Sequence, residues 1–545
     1  MININSKYDN IIIYIIFSII FITGINIYQD YGLTLDDESY RKNGEITYTY
    51  IKTFFLDKSL LAFNSLESIN AKAVSESEFG SIINHPVLFE LMLAFFVDVL
   101  NFNQSKEIFE FSHLLNFIIF FIGLVYFFLF IKHKFQSNYY ALFAIIILFL
   151  SPRIFAESFY NSRDIFFLSL FLIYIYATNN FIKNQTIRSS IYFSLSSALL
   201  INAKILGIVP PVMFLFFYLL SSSSKNTFSK KLKRILYVVP LILFFMYLLW
   251  PYLWNNPINN LYNAFVLLPK MHSGVELLNL YLGDFISSNN TQWHYRIVWF
   301  FSTTPIIVLL FFVIGFCFLI FQIFTNLINL TEKNDNLWLN EDQMFNFYLI
   351  TTLLAVLIGT IQFNESKFGG WRHLYFLYPI IVTITLLGYR HIYSLIKGTK
   401  LKLALFLIIG INFLYIIHWN YKYHPYQYVF FNFPSKFYAN NNFDLDYWGV
   451  SNSESLRYIL KNNNNFPVKI ATVSFSSLKT ASLILSNLDK KNLNFIGNLE
   501  EADFLITNYM KRFRKNFEIT EENYIKYFEI VVDDMPINTV YKKIN

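Results

Sequence analysis

Long apolar runs separated by short polar joints fill most of the chain. The first, residues 10 to 28 (NIIIYIIFSIIFITGINIY), is long enough to cross a bilayer, which takes roughly 20 apolar residues. No small-residue cleavage site follows it, so a retained first helix or signal anchor is expected. Further spans are predicted at about 111–131, 139–152, 165–182, 190–203, 205–221, 235–252, 298–325, 346–362, 373–391 and 403–419, about eleven in all. Between the first two lies a polar region, about 29–110, interrupted by the apolar stretch Val87 to Leu100. That stretch is short and carries Glu90 and Asp98, which suits an interfacial or re-entrant helix better than a span. The region is therefore read as one large first outer loop.

The pattern changes after about His424. β-rich runs at 468–475, 502–508 and 527–533 alternate with helix-like stretches such as Ser476 to Leu488, which predicts a small α/β domain over 424–545 beside a membrane domain over 1–423. No internal repeat is visible, so the commonest sequence signature of a secondary transporter is missing.

Composition agrees with this division. The chain is 55% hydrophobic, 20% aromatic and only 14% charged, against roughly 25% charge in soluble domains, and is expected to be a polytopic membrane protein. Part of the aromatic excess goes with a general enrichment in Phe, Ile, Asn, Tyr and Lys and needs no functional cause. The single cysteine, Cys317, lies inside an apolar run, which excludes an internal disulfide and argues against a cysteine-based metal site. A net charge of +7 would suggest nucleic acid in a soluble protein. Here the cations sit in short loops (Lys132 and Lys134; Lys183 and Arg188; Lys225 to Arg234; Arg390 to Lys402), so they report topology and no nucleic-acid partner is expected. Placing those loops in the cytoplasm puts the N-terminus there as well. The first loop and the C-terminal domain then lie outside.

With that topology the unusual polar motifs share the outer face: Asp36-Asp37-Glu38, Asn84-His85-Pro86, Ser151 to Phe155 with Arg153, Asn161 to Asp164, Lys204, Trp250 to Trp254, Trp293 to Pro305, Lys367 to Pro379 and His424 to Asn432. Together they suit group transfer to a hydroxyl or amine from an anionic, membrane-bound donor. Such chemistry needs a carboxylate to take the acceptor proton, supplied by Asp37 or Asp36, and cations to hold a phosphate leaving group, supplied by Arg153, Arg163, Lys204, Arg372 and His373. Each residue also has a plainer role. The acidic run could be a solvated cap, the arginines and Lys204 interfacial anchors, Asp164 a helix cap, His85 a turn residue, and the tryptophans an aromatic belt. Gly369-Gly370 reads as a turn.

The ordered motifs resemble the GT-C superfamily of membrane glycosyltransferases, and within it the bacterial branch of glycosyltransferase family 39, relatives of the protein mannosyltransferases that use dolichyl- or polyprenyl-phosphate mannose. The resemblance rests on Asp37-Glu38 after the first helix, His85-Pro86, SPRIFAESFYNSRDIFF (151–167), WPYLWNNP (250–257), GGWRHLYFLYP (369–379), HPYQYVFFN (424–432) and LDYWGVS (445–451). It implies a GT-C fold in a bacterial plasma membrane and an inverting transfer of sugar from a polyprenyl-phosphate donor to a glycan, lipid or protein acceptor outside. It also implies that Asp37 is the general base or acceptor-positioning group, accompanied by Glu38, that Asp164 is the second acidic residue, and that Arg372 and His373 suit the lipid phosphate. His85, Asn161, Trp371 and Tyr375 are the expected substrate-site residues. No cofactor is required, although Asp37 and Asp164 together could hold a divalent cation. The chain departs from the family pattern in the extra Asp36, in Ser162-Arg163-Asp164 where Pro-Lys-Asp is usual, and in a tail without a glycine-rich spacer. The rival reading is a non-enzymatic transporter or flippase of lipid-linked glycans, which would place ionisable residues near the middle of its spans.

Overall fold

The computed structural model describes residues 6–56, 87–221, 225–267, 277–329, 338, 340–362, 367–510 and 523–544. Helices occupy the predicted apolar runs, from Ser6–Ile27 to Thr399–Lys422. Among the described residues seven helices are long and apolar enough to cross a membrane, or eight if one bent pair is a single span. The chain is a multi-pass membrane protein. Asp164–Lys183 is the central helix, with 83% of its apolar window enclosed by protein, whereas the windows of Ser6–Ile27 and Thr399–Lys422 are each only 11% enclosed.

Two prolines redraw the expected boundaries. The run 298–325 is not one helix: Tyr295–Thr303 ends at an extended Thr304, and Ile306–Ile328 begins after Pro305. Likewise Asn138–Leu150 stops at Ser151, and Pro152–Tyr160 sets off at 69° to it. In both places proline excludes the preceding residue from helical geometry and has no N–H to give. The second break turns a predicted loop into a short buried helix that carries Arg153 and Glu157.

The acidic run of the first loop opens a helix, Asp37–Leu56, whose first turn holds Asp37 and Glu38 where the helix dipole favours negative charge. Leu88–Leu100, too short to span, packs on it through Lys52 and Asp98, whose Nζ and Oδ2 are 2.9 Å apart. Elsewhere two membrane helices touch backbone to backbone. A methyl group at Gly315 of Ile306–Ile328 would strike the Ile384 carbonyl, and one at Gly388 of Tyr378–Leu395 would strike that of Phe311. Small residues permit such close crossings in a membrane, where packing rather than water expulsion holds helices together.

The tail folds as expected into strands and short helices. Its five-stranded sheet has the order β4-β3-β5-β7-β6, with β3 (Val468–Thr472), β4 (Leu493–Phe495) and β5 (Phe504–Thr507) parallel, and β6 (Tyr524–Val532) and β7 (Met535–Lys543) antiparallel. The predicted helix over 476–488 is instead two short ones, Leu478–Ser482 and Asn487–Lys491, each capped by a serine (Ser477, Ser486) whose side chain accepts a backbone N–H. Leu456, Ile470, Leu478 and Phe504 build the tail's own core. Tyr428 to Phe431, Phe443, Trp448 and Val450 pack instead into the core of the membrane body. A hairpin that the periodicity did not reveal, β1 (Leu278–Tyr281) and β2 (Asp284–Ser287), joins this segment through a bridge between Tyr281 and Phe443.

The glycine crossing yields a test. Gly388→Leu should separate the two helices at a cost of about 1–3 kcal/mol, the usual range for overpacking, read as a lowered thermal midpoint in detergent. A substitution of equal size at lipid-facing Leu407 should leave the midpoint unchanged.

Candidate active site

Asp164 is the pivot of the polar residues. It opens its helix, but it is not the cap, because Asn161 Oδ1 accepts from the Asp164 N–H at 2.8 Å. The carboxylate is thereby free to pair with cations. Lys204, just past the Ile187–Ala203 helix, pairs with Oδ1, and Arg372 Nη1 stands 3.6 Å from Oδ2. Asn161 Nδ2 donates to Oδ2 at 3.1 Å and to Glu157 Oε2 at 2.7 Å, while the Tyr375 hydroxyl donates to Glu157 Oε1 at 2.6 Å. A charge this deeply buried survives folding only when paired and hydrogen-bonded.

Arg372 follows the Gly369-Gly370 turn, and both glycines have positive φ (63° and 74°). A Cβ at Gly369 would lie 2.6 Å from Arg372 Nε, so the turn both permits the backbone geometry and leaves room for the guanidinium. That guanidinium lies 3.9 Å from the Trp448 ring centre. Arg153 is held in the same manner, 4.9 Å from the ring centre of Trp299 and 5.6 Å from that of Phe431. The two arginines line one cleft of about 440 Å³, open solvent included, with Tyr160, Tyr295, Asp444 and Trp448 among its walls. Arg153 Nε and Nη2 and Arg372 Nε are sealed from solvent and make no hydrogen bond. Guanidinium donors of this kind are chemically suited to an anionic partner.

The three acidic residues of the opening run diverge. Asp37 Oδ2 accepts from the Thr34 N–H at 2.7 Å and lines a second, smaller cavity of about 300 Å³, open solvent included, with Tyr40, Arg41, Glu90, His113 and Tyr160. Burial pushes its carboxyl up to about 7. Asp36 turns the other way, accepting from the Tyr40 hydroxyl at 3.3 Å, and its charge acts on Arg163, Arg372 and Tyr447. Glu38 is engaged by Arg41 at 2.9 Å and Lys42 at 3.6 Å. Tyr160 lines both cavities.

Several predicted residues have other partners. Arg163 Nε donates to Glu90 Oε1 at 2.9 Å and its guanidinium stacks on Tyr40 at 4.0 Å, fastening the first-loop helices to the body. Lys204 is committed to Asp164, and Trp371 Nε1 to Thr303 Oγ1 at 2.9 Å. His373 packs edge-on against Phe368, with Nε2 buried and unbonded. His85 lies outside the described residues. Sequence reasoning missed Glu157, although an acidic residue four positions after Arg153 in an apolar helix is a visible signal. Tyr447 and Trp448 stand in the LDYWGVS motif but had no site role assigned, and Asp444 was missed; only the fold brings the three to the cleft. Among the described residues no three His, Cys, Asp or Glu side chains gather as metal ligands. Asp37 and Asp164 have different partners, and the charge of Asp164 is already met by Lys204 and Arg372.

Comparison with known proteins finds a family match over part of the chain. Residues 84–250 match the dolichyl-phosphate-mannose-protein mannosyltransferase family. The resemblance drawn from the motifs is borne out by this match, which takes in Arg153, Glu157, Asn161, Asp164 and Lys204. No curated protein matches the chain. Among solved structures, it is similar to ArnT from Cupriavidus metallidurans bound to undecaprenyl phosphate, at 10% identity and a TM-score of 0.48 over 89% of this chain and 86% of that one. It is also similar to the archaeal oligosaccharyltransferase AglB from Archaeoglobus fulgidus in complex with an inhibitory peptide and a dolichol-phosphate, at 10% identity and a TM-score of 0.40 over 85% of this chain and 60% of that one.

The ion cluster can be tested by removing its centre. Asp164→Ala leaves Lys204 and Arg372 facing each other and should cost about 3 kcal/mol of stability, as for other broken buried pairs. Adding Lys204→Met should recover part of that loss, and thermal unfolding of the two single variants and the double variant measures the coupling.

Proposed function

We propose that the protein is a glycosyltransferase that moves a sugar from a polyprenyl-phosphate donor to a hydroxyl or amine acceptor on the outer face of a bacterial plasma membrane. The observation that carries this reading is the pairing of two cavities that share Tyr160, one lined by Arg153 and Arg372, the other by Asp37. The family match supports the reaction class.

In this scheme the donor phosphate sits between Arg153 and Arg372, whose fixed donors meet the negative charge that grows as the leaving group departs. The acceptor enters the second cavity, and Asp37 takes its proton. The acceptor oxygen or nitrogen bonds to the anomeric carbon as the bond from that carbon to the phosphate oxygen breaks, so configuration inverts and polyprenyl phosphate leaves with the electron pair. Asp164 is a positioning residue that aims Arg372, and Glu157 holds Tyr375 and Asn161. No metal is needed, because the arginines supply the charge.

Asp37 suits the base because burial brings its carboxyl up to about 7, near working pH. Below that pH it carries a proton and cannot accept another, so kcat/KM should fall about tenfold per pH unit on the acid side of about 7. Asp37→Asn should reduce transfer from a lipid-phosphate sugar by about 10²–10⁴-fold with the protein still folded, and Asp36→Asn by much less. The reverse ranking would move the base to Asp36, and full activity in both variants would remove the scheme.

A further inference from the structure

The donor cleft holds more than the phosphate chemistry uses. Asp444 lies in its wall, half-buried, in the tail segment between Phe443 and Leu445. Its Oδ2 accepts the Leu280 N–H of strand β1 at 3.0 Å, while Oδ1 makes no hydrogen bond among the described residues and is not sealed from solvent. The neighbouring Asp446 is different: the Tyr428 hydroxyl and the Val450 N–H occupy Oδ1 at 2.9 and 3.1 Å, and Ser451 occupies Oδ2, so it is consumed in holding the turn. Only one of the two carboxylates has an oxygen left for a ligand.

Asp444 is also held firmly. Tyr281 bridges Phe443 beside it, and Asn279 of the same strand donates to the Lys367 carbonyl at 2.8 Å, just before the Gly369-Gly370 turn. The hairpin thus fixes the carboxylate relative to the Arg372 loop. Its charge acts on Tyr295 and Tyr447, and Tyr295 and Trp299 complete that side of the cleft. A carboxylate oxygen flanked by aromatic faces is the chemistry that recognises a sugar ring, whose hydroxyls donate hydrogen bonds and whose C–H face packs on an aromatic ring.

We infer that Asp444 is the residue that recognises the donor sugar, its Oδ1 accepting a ring hydroxyl of the pyranose while Arg153 and Arg372 hold the phosphate. The inference rests on the donor reading above and adds a division of labour within the cleft. Burial holds the Asp444 carboxyl up at about 7, which lets it accept from or donate to a hydroxyl near neutral pH.

The test compares binding of undecaprenyl phosphate with that of undecaprenyl phosphate carrying mannose or glucose, to the full chain in nanodiscs. Asp444→Asn keeps an oxygen for the Leu280 N–H and Asp444→Ala removes the acceptor. In Asp444→Ala the preference for sugar-bearing over bare lipid should fall about tenfold, the usual weight of a lost hydrogen bond to a charged group, and in Asp444→Asn by less. Affinity for bare undecaprenyl phosphate should stay within about twofold in both, which also reports that the cleft is folded. Arg372→Ala should weaken all three lipids. The inference is overturned if both variants keep the full preference, if they lose bare lipid equally, or if the unaltered protein binds bare and sugar-bearing lipid alike. Failure of the unaltered protein to bind any of the three would instead overturn the donor reading itself.

Discussion

A buried carboxylate among cations organises this protein's polar interior. Asp164 is nearly inaccessible, and in that setting an unpaired charge is far more costly than any single contact is favourable. Lys204, Arg372 and Asn161 must therefore converge on it. Each comes from a different part of the chain, so one electrostatic requirement pins the end of one helix, the start of another and the Gly-Gly turn to a common point. The cleft is what that convergence leaves over: Arg372 meets Asp164 through Nη1 and stacks on Trp448, while Arg153 stacks on Trp299 and Phe431.

The first-loop acidic residues show how neighbours in sequence acquire separate chemistry. Asp36 feels the arginines, Asp37 faces the second cavity and Glu38 is spent on Arg41 and Lys42. The boundary of the helix separates the first two, since Asp36 lies in the turn before it and Asp37 opens it, and within the helix Asp37 and Glu38 point about 100° apart. An acidic triplet therefore need not act as a cluster, and its members have to be told apart by their partners.

Much of this was legible in the sequence. Hydrophobic length located the membrane helices, and the loop motifs named Arg153, Asp164, Lys204 and Arg372, because a charge beside a long apolar run is conspicuous. What periodicity could not provide was pairing. Nothing in the spacing of Arg163 says that it belongs to Glu90, or that Asp164 is bonded by Lys204 rather than by a backbone N–H. Proline breaks were readable in principle at Pro152 and Pro305, yet the surrounding hydropathy hid them. Trp448 and Asp444 were out of reach, since they approach Arg372 and Arg153 only through long-range folding of the tail.

That tail has a consequence for how the molecule is made. The cleft wall contributed by Tyr428, Asp444 and Trp448 lies beyond the Thr399–Lys422 helix in chain order. During synthesis Arg153, Asp164 and Arg372 are therefore made before the surface that closes over them. A nascent chain arrested at the Thr399–Lys422 helix would have Asp164 and its cations but would lack Phe431 and Trp448, rings on which the two arginines stack, so the cleft is complete only once the tail has been made.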